Sequence, residues 1–155
     1  MEENNLVIPD IYGGFGNQLF MIAVAYTYAK RHKKNFLIIM STIHGATHIP
    51  HLNYYNILYS RFPHIKTLKL KDVQLIREKS EDNYIEIPFI EGSIYTTGYF
   101  QSEKYFIDYK EEIIEKYLPI KSDRELVLSK YPLLDKSYFL HVRRGDYVTA
   151  GHYID

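Results

Sequence analysis

The sequence predicts an α/β fold: a Rossmann-like parallel sheet with helices packed against it. Three observations carry this. An apolar run at residues 6–11 leads into Gly13-Gly14-Phe15-Gly16, a helix-period pattern follows at once, and a second apolar run fills residues 36–40. Strand, glycine turn, helix and strand in that order open a parallel sheet, because a parallel neighbour is reached only through a crossover.

Taken in order, residues 6–11 read as a strand with Pro9 inside it, where a ladder hydrogen bond is lost. Asn17 opens a helix in which Leu19, Ile22, Ala23, Tyr26 and Ala29 recur on one face. Lys30, Arg31, Lys33 and Lys34 close it, at the end where the helix dipole favours cations. Residues 41–53 form a loop, and residues 54–62 a short helix stopped by Pro63. Ile85, Ile87 and Phe89 alternate with polar neighbours, as in a half-buried strand, and residues 93–100 give a second strand. Ser102 caps a helix whose Phe106, Tyr109, Ile113 and Tyr117 share a face, and Pro119 ends it. Ser122 and Glu125 make a capping box before Leu126. Residues 138–142 form the last strand.

Composition narrows the function. The 155 residues are 46% hydrophobic and 25% charged, as in one globular domain. Nineteen basic and nineteen acidic side chains cancel, so there is no global attraction for nucleic acid or anionic lipid, and any anion site is local. The absence of cysteine excludes disulfides, thiolate metal sites and a cysteine nucleophile. Met1-Glu2-Glu3-Asn4-Asn5 is unlike a signal peptide, and no apolar segment is long enough to span a bilayer, so a cytoplasmic location is expected. His44, His48 and His51 share a loop with Pro50 and read as solvated histidines; no metal site is expected.

Two motifs can carry chemistry. Gly13-Gly14-Phe15-Gly16-Asn17-Gln18 lacks the third small residue of a dinucleotide fingerprint and the Lys-Ser/Thr pair of a P-loop. It is either a turn whose bare N–H groups receive an anion or a hydroxyl-rich ligand, or a plain strand-to-helix turn with Asn17 as its N-cap. His141-Val142-Arg143-Arg144-Gly145-Asp146 ends the last strand, where ligands bind in open α/β sheets. One arginine can pair with Asp146 while the other holds a diphosphate through its planar fork of donors; the other reading is a structural ion pair. Arg144-Gly145-Asp146 also spells an adhesion tripeptide, which arises easily by chance.

These two motifs, with Gly98-Tyr99-Phe100-Gln101-Ser102-Glu103-Lys104-Tyr105-Phe106 between them, resemble glycosyltransferase family 11, the α-1,2-fucosyltransferases. The resemblance implies one half of a GT-B architecture, GDP-β-L-fucose as donor, and inverting transfer to the 2-hydroxyl of a galactose-containing acceptor glycan. It implies no metal cofactor. Arg144, beside Arg143, would meet the diphosphate. Asn17 would face the cleft in the loop of Gly13, Gly14, Gly16 and Gln18, Asp146 would orient Arg144 or take the acceptor's proton, and His141 and Gln101 would support the motifs. Family members continue beyond the arginine motif, so residues 1–155 correspond to the N-terminal, acceptor-side half, with the C-terminal half truncated or separately encoded. A non-catalytic half-domain that binds carbohydrate, and a generic anion-binding module, are the competing readings.

Overall fold

The computed structural model describes residues 5–45, 54–80, 83–138 and 140. The chain divides into two units, Met1–Leu118 and Pro119–Asp155, and the whole sheet lies in the first. The fold is mixed α/β with a Rossmann-like parallel sheet, as the sequence predicts.

The sheet centres on β1 (Leu6–Pro9) and β8 (Ile94–Thr97), with β3 (Asn35–Phe36) outside β1 and β7 (Gln74–Arg77) outside β8. The order is β3-β1-β8-β7 and every pairing is parallel. Two short parallel pairs prolong these lines. β2 (Tyr12–Gly13) pairs with β5 (His44–Gly45), and β4 (Ile38–Ile39) with β6 (His64–Ile65). The predicted strand at 36–40 is therefore broken at Leu37, whose N–H goes to Val7 O at 3.0 Å. The break explains Pro9. It lies on the same side of β1 as Val7, two residues on, where the ladder to β3 has ended and no N–H is needed.

Helix α1 (Phe15–Arg31) follows the glycine turn. Its residues 21–29 are buried all round, so it is a core helix. Val7, Ile11 and Ile94 of the sheet pack with Ile22, Ala23, Tyr26 and Ala29, and the cluster is closed by Tyr59, Phe62 and Ile113. Each of the larger aliphatic or Phe side chains, fully buried, contributes about 1.5–3 kcal/mol. Alternation sends Leu6 and Ile8 to the opposite face, where they meet Leu37 and Ile39 under Leu68 and Leu70.

Several predicted elements take another form. Residues 84–90 form no strand: Tyr105 OH accepts the Ile85 N–H, Tyr28 OH accepts the Ile90 N–H, and Tyr28 OH donates to Pro88 O at 3.0 Å. Tyrosine hydroxyls thus replace a ladder for this segment. Residues 54–62 make a series of turns, among them the 3₁₀ turn Tyr59–Arg61, instead of a helix. The helix expected from Ser102 is two 3₁₀ turns, Glu103–Tyr105 and Ile107–Tyr109, before α2 (Lys110–Tyr117).

In the second unit, α3 (Lys121–Lys130) starts on the Ile120 carbonyl with no side-chain cap, so the Ser122–Glu125 box does not form. Tyr138 and Leu140 belong to no strand, and the rest of the predicted final strand lies outside the described residues. No helix among the described residues is long and apolar enough to cross a membrane.

Candidate functional site

From β1 the chain passes outward to β3; β8, on the other side of β1, arrives from β7. The carboxyl ends of β1 and β8 lie side by side at the centre of the sheet, and open α/β sheets bind their ligands in a crevice outside the carboxyl ends of their strands. The turn after β2 and the turn after β8 both emerge there. Two of the three motifs in the sequence are thereby brought together.

The first turn is built on Gly13, whose φ of +73° suits glycine. Gly14, not Asn17, is the N-cap of α1, with extended φ and ψ, and Gln18 N donates to its carbonyl at 3.1 Å. Asn17 lies inside the first turn of the helix. The N-cap reading of Asn17 is thus corrected, because Gly13 and Gly14 bring the chain into helical geometry three residues earlier. The Asn17 amide is turned to the other motif instead, its Oδ1 accepting from Gln101 Nε2 at 2.8 Å.

Gln18 is fully buried. Its Nε2 donates to Gly13 O at 2.8 Å and its Oε1 accepts from the Tyr59 hydroxyl. Burial pushes the Tyr59 phenol well above its ordinary value, so it stays a neutral donor. Gln18 therefore pins the turn from beneath, while Asn17 looks outward. A Cβ at Gly14 or at Gly16 would meet nothing within 4 Å, so no described neighbour requires glycine there and the start of the helix is left bare.

The second turn is strained. Gly98 has φ +137°, and a Cβ there would lie 2.3 Å from the Glu78 Cβ. Phe100 has φ +50°, uncommon for a bulky residue, and is held by its buried ring, which stands at 88° to the Tyr105 ring with centroids 5.2 Å apart. This path brings Tyr99 and Gln101 to the crevice. The Tyr99 ring lies 5.2 Å from that of Tyr12. Burial, and next the nearby Tyr99, raise the Tyr12 phenol pKa.

Asp10 and Thr97, at the ends of the two central strands, are functional candidates that the sequence reading missed. Thr97 Oγ1 donates to Asp10 Oδ2 at 2.9 Å. Neither belongs to a motif; the signal available was an aspartate at the end of an apolar strand. The remaining predicted residues, His141, Arg143, Arg144 and Asp146, lie outside the described residues, as do His48 and His51. His44 ends in β5, and among the described residues no three metal-ligating side chains converge.

Fold and crevice together define an α/β protein with a Rossmann-like sheet whose two central turns meet beyond the carboxyl ends of β1 and β8. No family model and no solved structure matches it. Among curated proteins it is similar to an alpha-1,2-colitosyltransferase of Escherichia coli, 26% identical over 163 residues that cover 94% of this chain and 56% of the relative. The chain thus resembles a glycosyltransferase along nearly its whole length and spans little more than half of that relative.

Proposed function

We propose that this chain is the acceptor-side half of an inverting glycosyltransferase that moves a 6-deoxyhexose, fucose or a close relative, from a GDP-sugar to the 2-hydroxyl of a galactoside. One observation carries the proposal: the Gly13–Gln18 turn and the Tyr99–Gln101 turn, far apart in sequence, are joined beyond the carboxyl ends of the central strands in a chain similar to a glycosyltransferase. Colitose is fucose without its 3-hydroxyl, so the relative's name and the motif resemblance point to one kind of donor sugar.

In this reading the acceptor's 2-hydroxyl oxygen attacks the anomeric carbon as the bond to the diphosphate breaks, GDP leaves with the electron pair, and the hydroxyl proton passes to Asp146 or to the departing diphosphate. Arg144, seconded by Arg143, receives the growing diphosphate charge in place of a metal ion. Asp146 would orient Arg144 or take the acceptor's proton, and His141 would support the motif. The bare start of α1 and the outward Asn17 and Gln101 amides offer hydrogen bonds to the reacting sugar. A C-terminal half, joined or separate, supplies the rest of the nucleotide site, and the reaction takes place in the cytoplasm.

The test is transfer from radiolabelled GDP-fucose to a galactoside by the purified chain, beside the chain extended with a C-terminal half from a family 11 enzyme. Transfer only by the extended protein supports the proposal in full. Galactoside binding without transfer in either form favours the carbohydrate-binding reading. In the active form, Arg144→Lys keeps the charge and loses the bidentate fork, and should slow transfer about ten- to hundredfold, the worth of a charge-assisted hydrogen bond at the transition state.

A further inference from the structure

We infer that Asp10, held by Thr97 and flanked by Tyr12 and Tyr99, is the residue that receives a pyranoside hydroxyl in the crevice. The inference rests on the proposed transfer reaction only for the choice of sugar.

Placement comes first. Alternation along the first strand line turns Val7 and Ile11 to α1 and leaves Leu6 and Ile8 on the other face. Asp10 and Tyr12 continue that second series to the carboxyl end of the sheet. On the neighbouring strand, Tyr95, Thr97 and Tyr99 form the matching series, and Tyr95 packs with Leu6 and Ile8. A row that begins as apolar core thus ends in a carboxylate, a hydroxyl and two phenols, at the carboxyl ends of the two central strands.

Chemistry comes second. The Asp10 backbone is fixed, its N–H going to Thr96 O at 2.9 Å. Thr97, itself buried, gives its only hydroxyl hydrogen to Oδ2. Among the described residues Oδ1 accepts no hydrogen bond, and Asp10 makes no ion pair. A part-buried carboxylate that is oriented yet half-satisfied is suited to accept a hydrogen bond from a neutral hydroxyl. Tyr12 and Tyr99, partly exposed, offer ring faces for the C–H face of a pyranose beside it. Carboxylate plus aromatic faces fits a neutral sugar; two nearby acidic side chains, Asp10 and Glu78, oppose an anion here.

The experiment is an NMR titration of the isotope-labelled chain with methyl β-D-galactopyranoside and with its 2-deoxy counterpart. The expected result is saturable shifts at the Tyr12, Gly13, Thr97 and Tyr99 amides, with affinity about tenfold weaker for Asp10→Asn, which preserves the side-chain shape. Tyr99→Phe should bind nearly as the parent does and Tyr99→Ala should bind weakly, with Glu86→Gln, in a separate cavity lined by Tyr28, Tyr84 and Lys104, as control. Weaker binding of the 2-deoxy sugar identifies the 2-hydroxyl as the group received; equal binding assigns another hydroxyl of the same sugar. Unchanged affinity in Asp10→Asn, shifts confined to residues away from β1 and β8, or no saturable shift overturns the inference. Binding that depends on Asp10 without transfer in the extended protein defeats the transfer reading alone; transfer that ignores Asp10 defeats this inference alone.

Discussion

Gln101 Nε2 donates to Asn17 Oδ1 across 2.8 Å, joining side chains 84 residues apart. The bond ties the turn after β8 to the first turn of α1, so the two motifs behave as one structure. Both side chains are accessible, and a neutral hydrogen bond there is worth about 0.5–1.5 kcal/mol. Asn17→Ala and Gln101→Ala should each lower stability by no more than that. A double-mutant cycle in urea should return a coupling of about 0.5–1 kcal/mol; additive losses would show that the turns are held independently.

Gly16→Ala should stabilise the fold. The residue is helical and exposed, and its added methyl meets no atom within 4 Å, so the helix gains about 0.5–1 kcal/mol. On the proposed function the same methyl covers the bare helix start and weakens ligand binding. A higher melting temperature with lower affinity for GDP-fucose in the extended protein is the expected pair of results.

Gly98→Ala should do the opposite. A Cβ 2.3 Å from the Glu78 Cβ and 2.7 Å from its Oε2 forces the edge strand away, and the φ of +137° is strained for alanine. A loss of about 2 kcal/mol or more is expected by chemical denaturation. Glu78→Ala leaves a Cβ in place and should rescue little of it.

Gln18→Leu fills similar space but leaves Gly13 O and the Tyr59 hydroxyl without their partners. The cost should be on the order of 2–4 kcal/mol. Tyr59→Phe in the same background removes one stranded group and should recover part of the loss.

His32 gives a pH signature. Burial, then the positive charges of Lys34 and Arg31, lower its pKa below 6.5, so the fold favours neutral imidazole. Above 6.5 the residue is neutral folded or unfolded and costs nothing. As pH falls through that value the unfolded chain binds the proton first, and stability declines until the folded pKa is passed. Urea midpoints at about pH 7.5 and about pH 5.5 should draw together in His32→Gln.

Periodicity made the centre of this fold readable. Leu19, Ile22, Ala23, Tyr26 and Ala29 predict α1, the apolar runs at 6–11 and 36–40 predict β1 and the line of β3 and β4, and residues 93–100 predict β8. What escaped has local physical causes. β7 has one buried side chain, Ile76, while Leu75 is 55% exposed, so no alternation marks it. Residues 84–90 show alternation without a strand because Tyr28 and Tyr105 satisfy their backbone. Asn17 is among the best N-cap residues, yet two glycines before it start the helix early. In the crevice the glycine turn was legible as a motif. Asp10 and Thr97 were not, because their meaning comes from strand register, which pairs chain segments no local pattern connects.

That register has a consequence for biosynthesis. β1 leaves the ribosome early and finds β3 soon after α1, but its other neighbour is far downstream: Leu6 N bonds to Ser93 Oγ, 87 residues on. Until then the central strand keeps an open edge, and the chain is held in a partly zipped, association-prone state. Closure of that edge also creates the crevice, since Asp10 meets Thr97 and Asn17 meets Gln101 only when β8 docks. A nascent chain stalled before β8 would therefore be sticky and without its crevice, and on the proposed function an added sugar ligand would act as a pharmacological chaperone for that final docking step.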